Sequence, residues 1–131
     1  EAKTAALLLE WISESEEEKI ADRFRVGPGD IRRVAETAEW LMHSAGRLSE
    51  HLDLGATFRI YQLEKRIHYG AGPDLLSLLD LKGVGRVRAR RLHRAGYTSI
   101  DKLREAKPAE IAEVVGPKIA EKVMAQLKER A

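Results

Sequence analysis

The chain has 131 residues, 44% hydrophobic and 34% charged, enough for one ordinary domain or two small ones with a buried core. It contains no cysteine, which excludes disulfides, cysteine-ligated zinc and iron–sulfur clusters and suits a reducing interior. The longest apolar runs, such as "AALLL", are far too short to span a bilayer, and no signal-peptide pattern opens the chain.

The net charge of +2 conceals an asymmetry. Residues 1–72 carry 10 Lys and Arg against 13 Asp and Glu, whereas residues 73–131 carry 13 against 8. A partner that needs positive charge should therefore meet the second half first. A first residue of Glu1 rather than Met suggests a processed chain or a piece of something longer.

In chain order, nearly every segment reads helical. Thr4 to Ile12 is apolar-rich, and Trp11, beside a leucine run, is expected in the core. "SEEEKIADRF" opens with Ser15 and Glu18 at capping-box spacing, followed by a helix with acids in its first turn. "GPGD" breaks the chain and puts Asp30 where an N-cap belongs. Residues 31–52 then contain no breaker except Gly46 and form the longest helix. "TFRIYQLEKRIHYG" is a further helix ending at Gly70, and "AGPD" is a hinge in which Pro73 suits a first helical turn. Short helices follow: "DLLSLLD", "RVRARRLHRAG", "SIDKLREA", "PAEIAEVVG" and "PKIAEKVMAQLKER". No strand-like alternation persists, so the fold class is all-α: a helical bundle over residues 1–72, then a small domain over residues 73–131.

That small domain holds a weak internal repeat. "LKGVGRVRARRL" and "VVGPKIAEKVMAQL" each place a glycine-containing hairpin before an amphipathic helix, with a small residue, Ala89 or Ala120, where two helices must approach closely. Two helix–hairpin–helix units on a shared core make a domain of about this size.

On the long helix, 100° per residue gathers Ile31, Val34, Ala35, Ala38, Leu41, Met42, Ala45, Leu48 and Leu52 into one broad stripe, the expected core face. Trp40 points well away from it. Arg33 and Arg47, seven residues to either side of Trp40, fall almost on its line at steps of ~10.5 Å. An indole flanked by guanidinium groups suits single-stranded nucleic acid, since the ring stacks on a base and the arginines hold the backbone or stack in turn. The alternative is that Trp40 packs on a neighbouring helix while the arginines pair with Glu36 and Glu39.

In the second half, Gly83 and Gly85 let the backbone turn tightly around Val84, whose side chain can plug into the core. A hairpin that opens a helix presents unpaired N–H groups, a natural seat for phosphate. Arg86, Arg88, Arg90, Arg91 and Arg94 follow within nine residues without an acid among them. Arg86, Arg90 and Arg94 form one ridge with Arg91 nearby, Arg88 lies on the other flank, and Ala89 and Leu92 face inward. Backbone N–H groups and arginines read phosphate rather than base identity, so such binding tolerates any sequence and weakens with salt. A merely solvated helix face is the competing interpretation.

Taken together, "VGPGDIRRVAETAEWL", "LKGVGRVRARRLHRAGYTSI" and "VVGPKIAEKV" resemble the C-terminal part of the archaeal superfamily-two DNA repair helicases of the Hjm type, relatives of animal HelQ. The resemblance covers nearly the whole chain, in order. It implies that the first region is part of a helical ratchet domain whose long helix runs beside the translocating strand, with Arg33 and Trp40 at the base-stacking positions. It also implies that "RVRAR", here Arg86, Arg88 and Arg90, belongs to a terminal helix–hairpin–helix domain that grips the exiting strand and restrains the motor. On this footing single-stranded and forked DNA, the motor domains of a parent chain and replication proteins are the expected partners, with no membrane. The setting is the interior of an archaeal cell, associated with the nucleoid, and 3′ to 5′ polarity enters only through the resemblance. No GxxxxGK[ST] occurs, nor an acidic box for magnesium, so this chain alone is not expected to hydrolyse ATP and holds no cofactor. ATP and magnesium belong to motor and winged-helix domains expected before Glu1, and the ratchet bundle is expected to start partway through.

Other classes fit less well. "VGPGD" superficially resembles a DNA-glycosylase signature but precedes the hairpin by about fifty residues, and Val87 stands where a lyase-type enzyme carries lysine. His43, His51, His68 and His93 are scattered, which argues against a metal site. A module that docks on the motor or on a replication protein, holding it inactive, is the remaining alternative, because the same arginine ridge could meet acidic side chains.

Overall fold

The computed structural model describes residues 2–130. Among these, eight α-helices and two short 3-10 turns account for the regular structure, with no strand, so the protein is all-α. The chain divides into two compact units, residues 1–73 and 74–131.

The first unit contains α1 (Ala2–Ile12), α2 (Glu17–Phe24), α3 (Pro28–Leu52) and α4 (Thr57–Tyr69). Its core joins Leu7, Trp11, Ile12, Ile20, Ile31, Ala35 and Ile67, drawn from all four helices. Trp11 is buried as expected, and its Nε1 donates to the Ile67 carbonyl at 2.7 Å, tying α1 to α4 while satisfying the indole's only donor. The α4 helix ends at Gly70 in a left-handed conformation, φ +67°, directly beneath the Trp11 ring.

Both expected helix starts shift. Ser15 does not cap α2; Glu16 is the N-cap residue and makes no side-chain cap bond. The Ser15 hydroxyl instead donates to Glu10 Oε2 at 2.5 Å, and the same Glu10 carboxylate receives Arg23, so a charged acceptor on α1 takes it away from the α2 backbone. Asp30 is not the N-cap of α3 either. Pro28 begins the helix at the position where its missing N–H costs nothing, and Asp30, one turn in, accepts from the Gly27 N–H at 2.9 Å.

The core face of α3 also differs from its apolar stripe. Ile31 and Ala35 are buried as expected, but farther along the buried residues are Gly46 and Ser49. Leu41, Leu48 and Leu52 are 51%, 57% and 54% exposed. The cause is α4, which packs on α3 more extensively than any other helix does. A side chain at Gly46 would overlap the Tyr61 ring, so the missing Cβ is what allows the approach, and Ser49 Oγ accepts from Thr57 Oγ1 at 3.1 Å beside it. Polar pairs line the same seam: His43 Nδ1 with Glu64 at 3.1 Å and His68 Nδ1 with Glu39 at 2.9 Å.

The second unit contains α5 (Arg86–Arg94), α6 (Ile100–Glu105), α7 (Pro108–Val115) and α8 (Pro117–Glu129). "DLLSLLD" is not one helix but two 3-10 turns, Pro73–Leu75 and Leu78–Asp80. Leu75, Leu78 and Leu81 recur every third residue, the spacing that stacks side chains on one side of a 3-10 helix, and all are buried. Leu79, Val84, Ala89, Leu92, Leu103, Ile111, Val115, Ala120, Val123 and Leu127 complete this core. Ala89 and Ala120, at equivalent places in the two repeats, are 0% and 3% exposed, as the close approach of helices requires.

Candidate nucleic-acid interface

Two surfaces carry the residues singled out by sequence. The first lies on α3, which at 25 residues runs for ~37 Å. Trp40, near its middle, is 67% exposed. Arg33 is also exposed, its guanidinium loosely paired with Asp30 at 3.4 Å, a contact within one helical turn that leaves most of the side chain in solvent. Arg47 is exposed. Neither Glu36 nor Glu39 neutralises this line: Glu39 turns to His68, and Arg33 turns to Asp30. Between Arg33 and Trp40, the Thr37 hydroxyl folds back onto the Arg33 carbonyl at 3.0 Å, so it leaves the face flat rather than projecting from it.

A groove borders this line that the sequence did not reveal. It has a volume of about 310 Å³ and is walled by Thr4 and Leu8 of α1 and by Arg33, Val34, Thr37, Ala38 and Leu41 of α3. Its walls are almost wholly apolar with Arg33 at the rim, which suits a flat, weakly polar ring carried on a charged backbone. The exposed Leu41, counted toward the core by its periodicity, belongs to this groove. The recurrence of Val34, Leu41 and Leu48 every seven residues was the available signal, but it is the same pattern a core stripe leaves.

The second surface is the hairpin before α5. Gly83 has φ +87°, a conformation that disfavours any residue with a Cβ, and Val84 turns inward, 3% exposed, as expected. Gly85 differs from Gly83: its φ of −88° is open to other residues, and it serves as the N-cap of α5. Because glycine has no side chain, nothing of Gly85 caps the α5 amides. Elsewhere in this unit Ser99 accepts from Lys102 N at 3.2 Å and Glu110 reaches back to Lys107 N at 3.1 Å, so helix starts away from the glycine hairpins are closed by side chains. Among the described residues of this unit, α5 and α8, entered from Gly85 and Gly116, are the helices that begin at glycine.

The arginines of α5 divide into two kinds. Arg91 and Arg94 are exposed. Arg86 is half-buried and engaged within the fold. Arg88 donates from Nη1 to the Gly83 carbonyl at 3.1 Å, which brings its charge back over the hairpin. Arg90 departs from the free ridge expected: both its terminal nitrogens meet the Asp74 carboxylate, at 2.8 and 2.9 Å, in a fork-to-fork pair. The run has no acid of its own, but the fold supplies one sixteen residues upstream. The Arg90 hydrogen bonds hold the Asp74 carboxyl below the usual carboxylate range against some desolvation, helped by the Arg90 charge and by His93 at 3.6 Å.

Among the described residues no group of three His, Asp or Glu is placed to hold a metal ion, and no helix is long and apolar enough to cross a membrane. Residues 1–70 match the family model described as archaeal helicase, domain 4. The chain belongs to that family. Residues 75–129 of this archaeal helicase chain match a second model, a SAM-like helix-hairpin-helix tandem, which agrees with the two glycine hairpins. Among its relatives are proteins named ATP-dependent DNA helicase Hel308. The one from Methanocella arvoryzae is 50% identical over 127 residues, covering 95% of this chain and 17% of that protein. The one from Pyrococcus abyssi is 40% identical over 129 residues, 95% of this chain and 18% of that protein. The one from Methanocaldococcus jannaschii is 38% identical over 125 residues, 95% of this chain and 10% of that protein. The chain thus spans less than a fifth of the length of these relatives.

Proposed function

We propose that this chain is the non-catalytic DNA-binding portion of an ATP-dependent helicase with 3′ to 5′ polarity that works on stalled replication forks, and that it holds single-stranded or forked DNA without regard to sequence. Trp40 stacks on bases beside the apolar groove, with Arg33 and Arg47 holding the strand to either side. The hairpin amides at Gly83 and Gly85 receive a phosphate, and Arg86, Arg88 and Arg91 surround it. Arg90 belongs to the same clamp but acts mainly from behind, by fastening α5 to Asp74. ATP and magnesium would be handled by motor domains elsewhere in the parent polypeptide, inside the archaeal cell with the nucleoid.

The observation that carries this reading is the two-thirds exposure of the Trp40 indole between two exposed arginines, on a helix whose Arg33, Thr37 and Leu41 line a groove with apolar walls. A single exposed hydrophobic side chain is ordinary, but Trp40 is followed directly by the exposed Leu41 of the groove, and a run of exposed apolar surface of this kind marks a binding face. The test is binding of a fluorescent mixed-sequence single strand to the chain over a range of salt. The expected result is affinity that falls linearly on logarithmic axes and is insensitive to base composition. Flat salt dependence, or no binding at low salt, overturns it.

A second reading draws on Arg90. Its pairing with Asp74 is a carboxylate contact within the arginine-rich helix, and it supports docking on an acidic face of the motor or of a replication protein, with restraint of the motor as the result. Competition separates the two: an oligonucleotide that displaces such a partner supports a shared surface, whereas a partner that binds where DNA never does leaves only the docking role.

A further inference from the structure

The hairpin is held from behind by α8. Lys82, at its entrance, has both backbone groups turned outward, where the helices offer them no partner. The Gln126 side chain satisfies both: Oε1 accepts from the Lys82 N–H at 2.7 Å and Nε2 donates to the Lys82 carbonyl at 2.9 Å, as a neighbouring strand would. The same Nε2 also donates to the Lys122 carbonyl one turn back at 3.2 Å, which fixes the amide's orientation. On either side of Lys82, Arg130 Nη2 donates to the Asp80 carbonyl and Arg88 Nη1 to the Gly83 carbonyl, each at 3.1 Å. Three carbonyls around the turn are thus taken by side chains, one from α8 and one from Arg130 directly after it.

Lys122 stands next to this bracket. A Cβ on Gly83 would lie 3.7 Å from Lys122 Cδ, so the lysine stem runs alongside the glycine and its ammonium lies two bonds farther on. Lys122 is exposed and has no carboxylate partner among the described residues.

We propose that the phosphate seat of the first hairpin is a composite site. Lys122 of α8 contributes a phosphate contact of its own, and Gln126 is a positioning residue that holds the Lys82–Gly85 turn in its binding shape. This extension rests on the DNA-binding reading above. It explains why the two repeats are stacked rather than strung apart: the helix of the second supplies a charge and a brace to the hairpin of the first. A rigid turn meets phosphate without first losing conformational freedom, so loss of the brace weakens binding even though no charge has gone.

The two roles give different signatures in a salt titration of the whole chain with a labelled mixed-sequence single strand. Lys122→Gln should lower the slope of log affinity against log salt by about one unit. Gln126→Met keeps the stem but loses both hydrogen bonds to Lys82, along with the one to the Lys122 carbonyl. It should weaken binding roughly two- to tenfold at fixed salt with the slope unchanged, while exchange of the Lys82 amide accelerates. An unaltered slope in Lys122→Gln overturns the phosphate contact. Faster exchange at Lys82 with unchanged affinity in Gln126→Met overturns the positioning role. Should Gln126→Met fail to fold, the exposed Lys122 variant still decides the composite site. A wild-type chain that binds no DNA fails earlier, and brings down the DNA-binding reading with this extension.

Discussion

Replacing Trp40 by alanine separates a stacking surface from a structural one. A fully buried tryptophan removes about 150–250 Å² from water, and Trp40 at 67% exposure has only a third of its surface covered. At ~25 cal/mol per Å² that third is worth about 1–2 kcal/mol as an upper bound, since the unfolded chain also shields the ring. Alanine returns about half a kcal/mol through its better helix propensity. Trp40→Ala should therefore lower stability by about 1 kcal/mol or less, a shift of a few degrees in melting temperature. Stacking on a base contributes ~1–3 kcal/mol, so affinity for a single strand should fall by roughly 5- to 150-fold. The intrinsic fluorescence gives a second measure. Only two tryptophans are present, and Trp11 is 8% exposed and bonded to Ile67, so quenching by an oligonucleotide should come from Trp40 and vanish in the variant. In the intact helicase the same change is expected to impair coupling of translocation to unwinding. A variant that binds and quenches like wild type refutes the stacking role, and a melting temperature lower by tens of degrees refutes the claim that the ring is free of the core.

Gly70→Ala should be among the most damaging single-methyl changes in the first unit. It sets a Cβ at φ +67° and into the buried Trp11 ring, for a cost of about 2–5 kcal/mol, read from denaturant unfolding. On α5, Arg91→Gln should lower the salt slope of DNA binding by about one unit with little change in stability, whereas Arg90→Gln should change the slope less and lower the melting temperature more, because its fork is already committed to Asp74. The Asp74 carboxyl is held below its ordinary value in the folded protein, so its contribution is present above the unfolded value near pH 4 and is lost as pH falls through the lower folded one. Asp74→Asn should accordingly narrow the gap to wild type on acidification, from a difference of about 1 kcal/mol or less at neutral pH, since the pair is partly exposed. Parallel melting curves for the two proteins down to the acid limit would contradict that pairing.

Much of this protein is legible from local rules. Glycine and proline divide the helices, because positive φ and a missing N–H are properties of single residues; Gly70 and Gly116 mark helix ends that the structure keeps, and Gly83 the turn before α5. The inward turn of Val84, the small Ala89 and Ala120 at the helix contacts, and the burial of Trp11 follow from periodicity within one or two turns. The outward direction of Trp40 is of the same kind, since a residue on the opposite side of a helix from its core stripe needs no knowledge of the rest of the fold.

What only tertiary structure decided involves the choice between several chemically adequate partners. Apolar periodicity offers Leu41, Leu48 and Leu52 to the core, yet α4 settles on Gly46 and Ser49, because a helix can approach closely only where its neighbour has almost no side chain. Ser15 had a cap to make and met the Glu10 carboxylate instead. Arg90 found Asp74 sixteen residues away, and Lys82 found Gln126 at a distance of 44. A sequence states which groups need partners through the chemistry of each residue. Which partner each obtains depends on distances that exist only after the helices have packed.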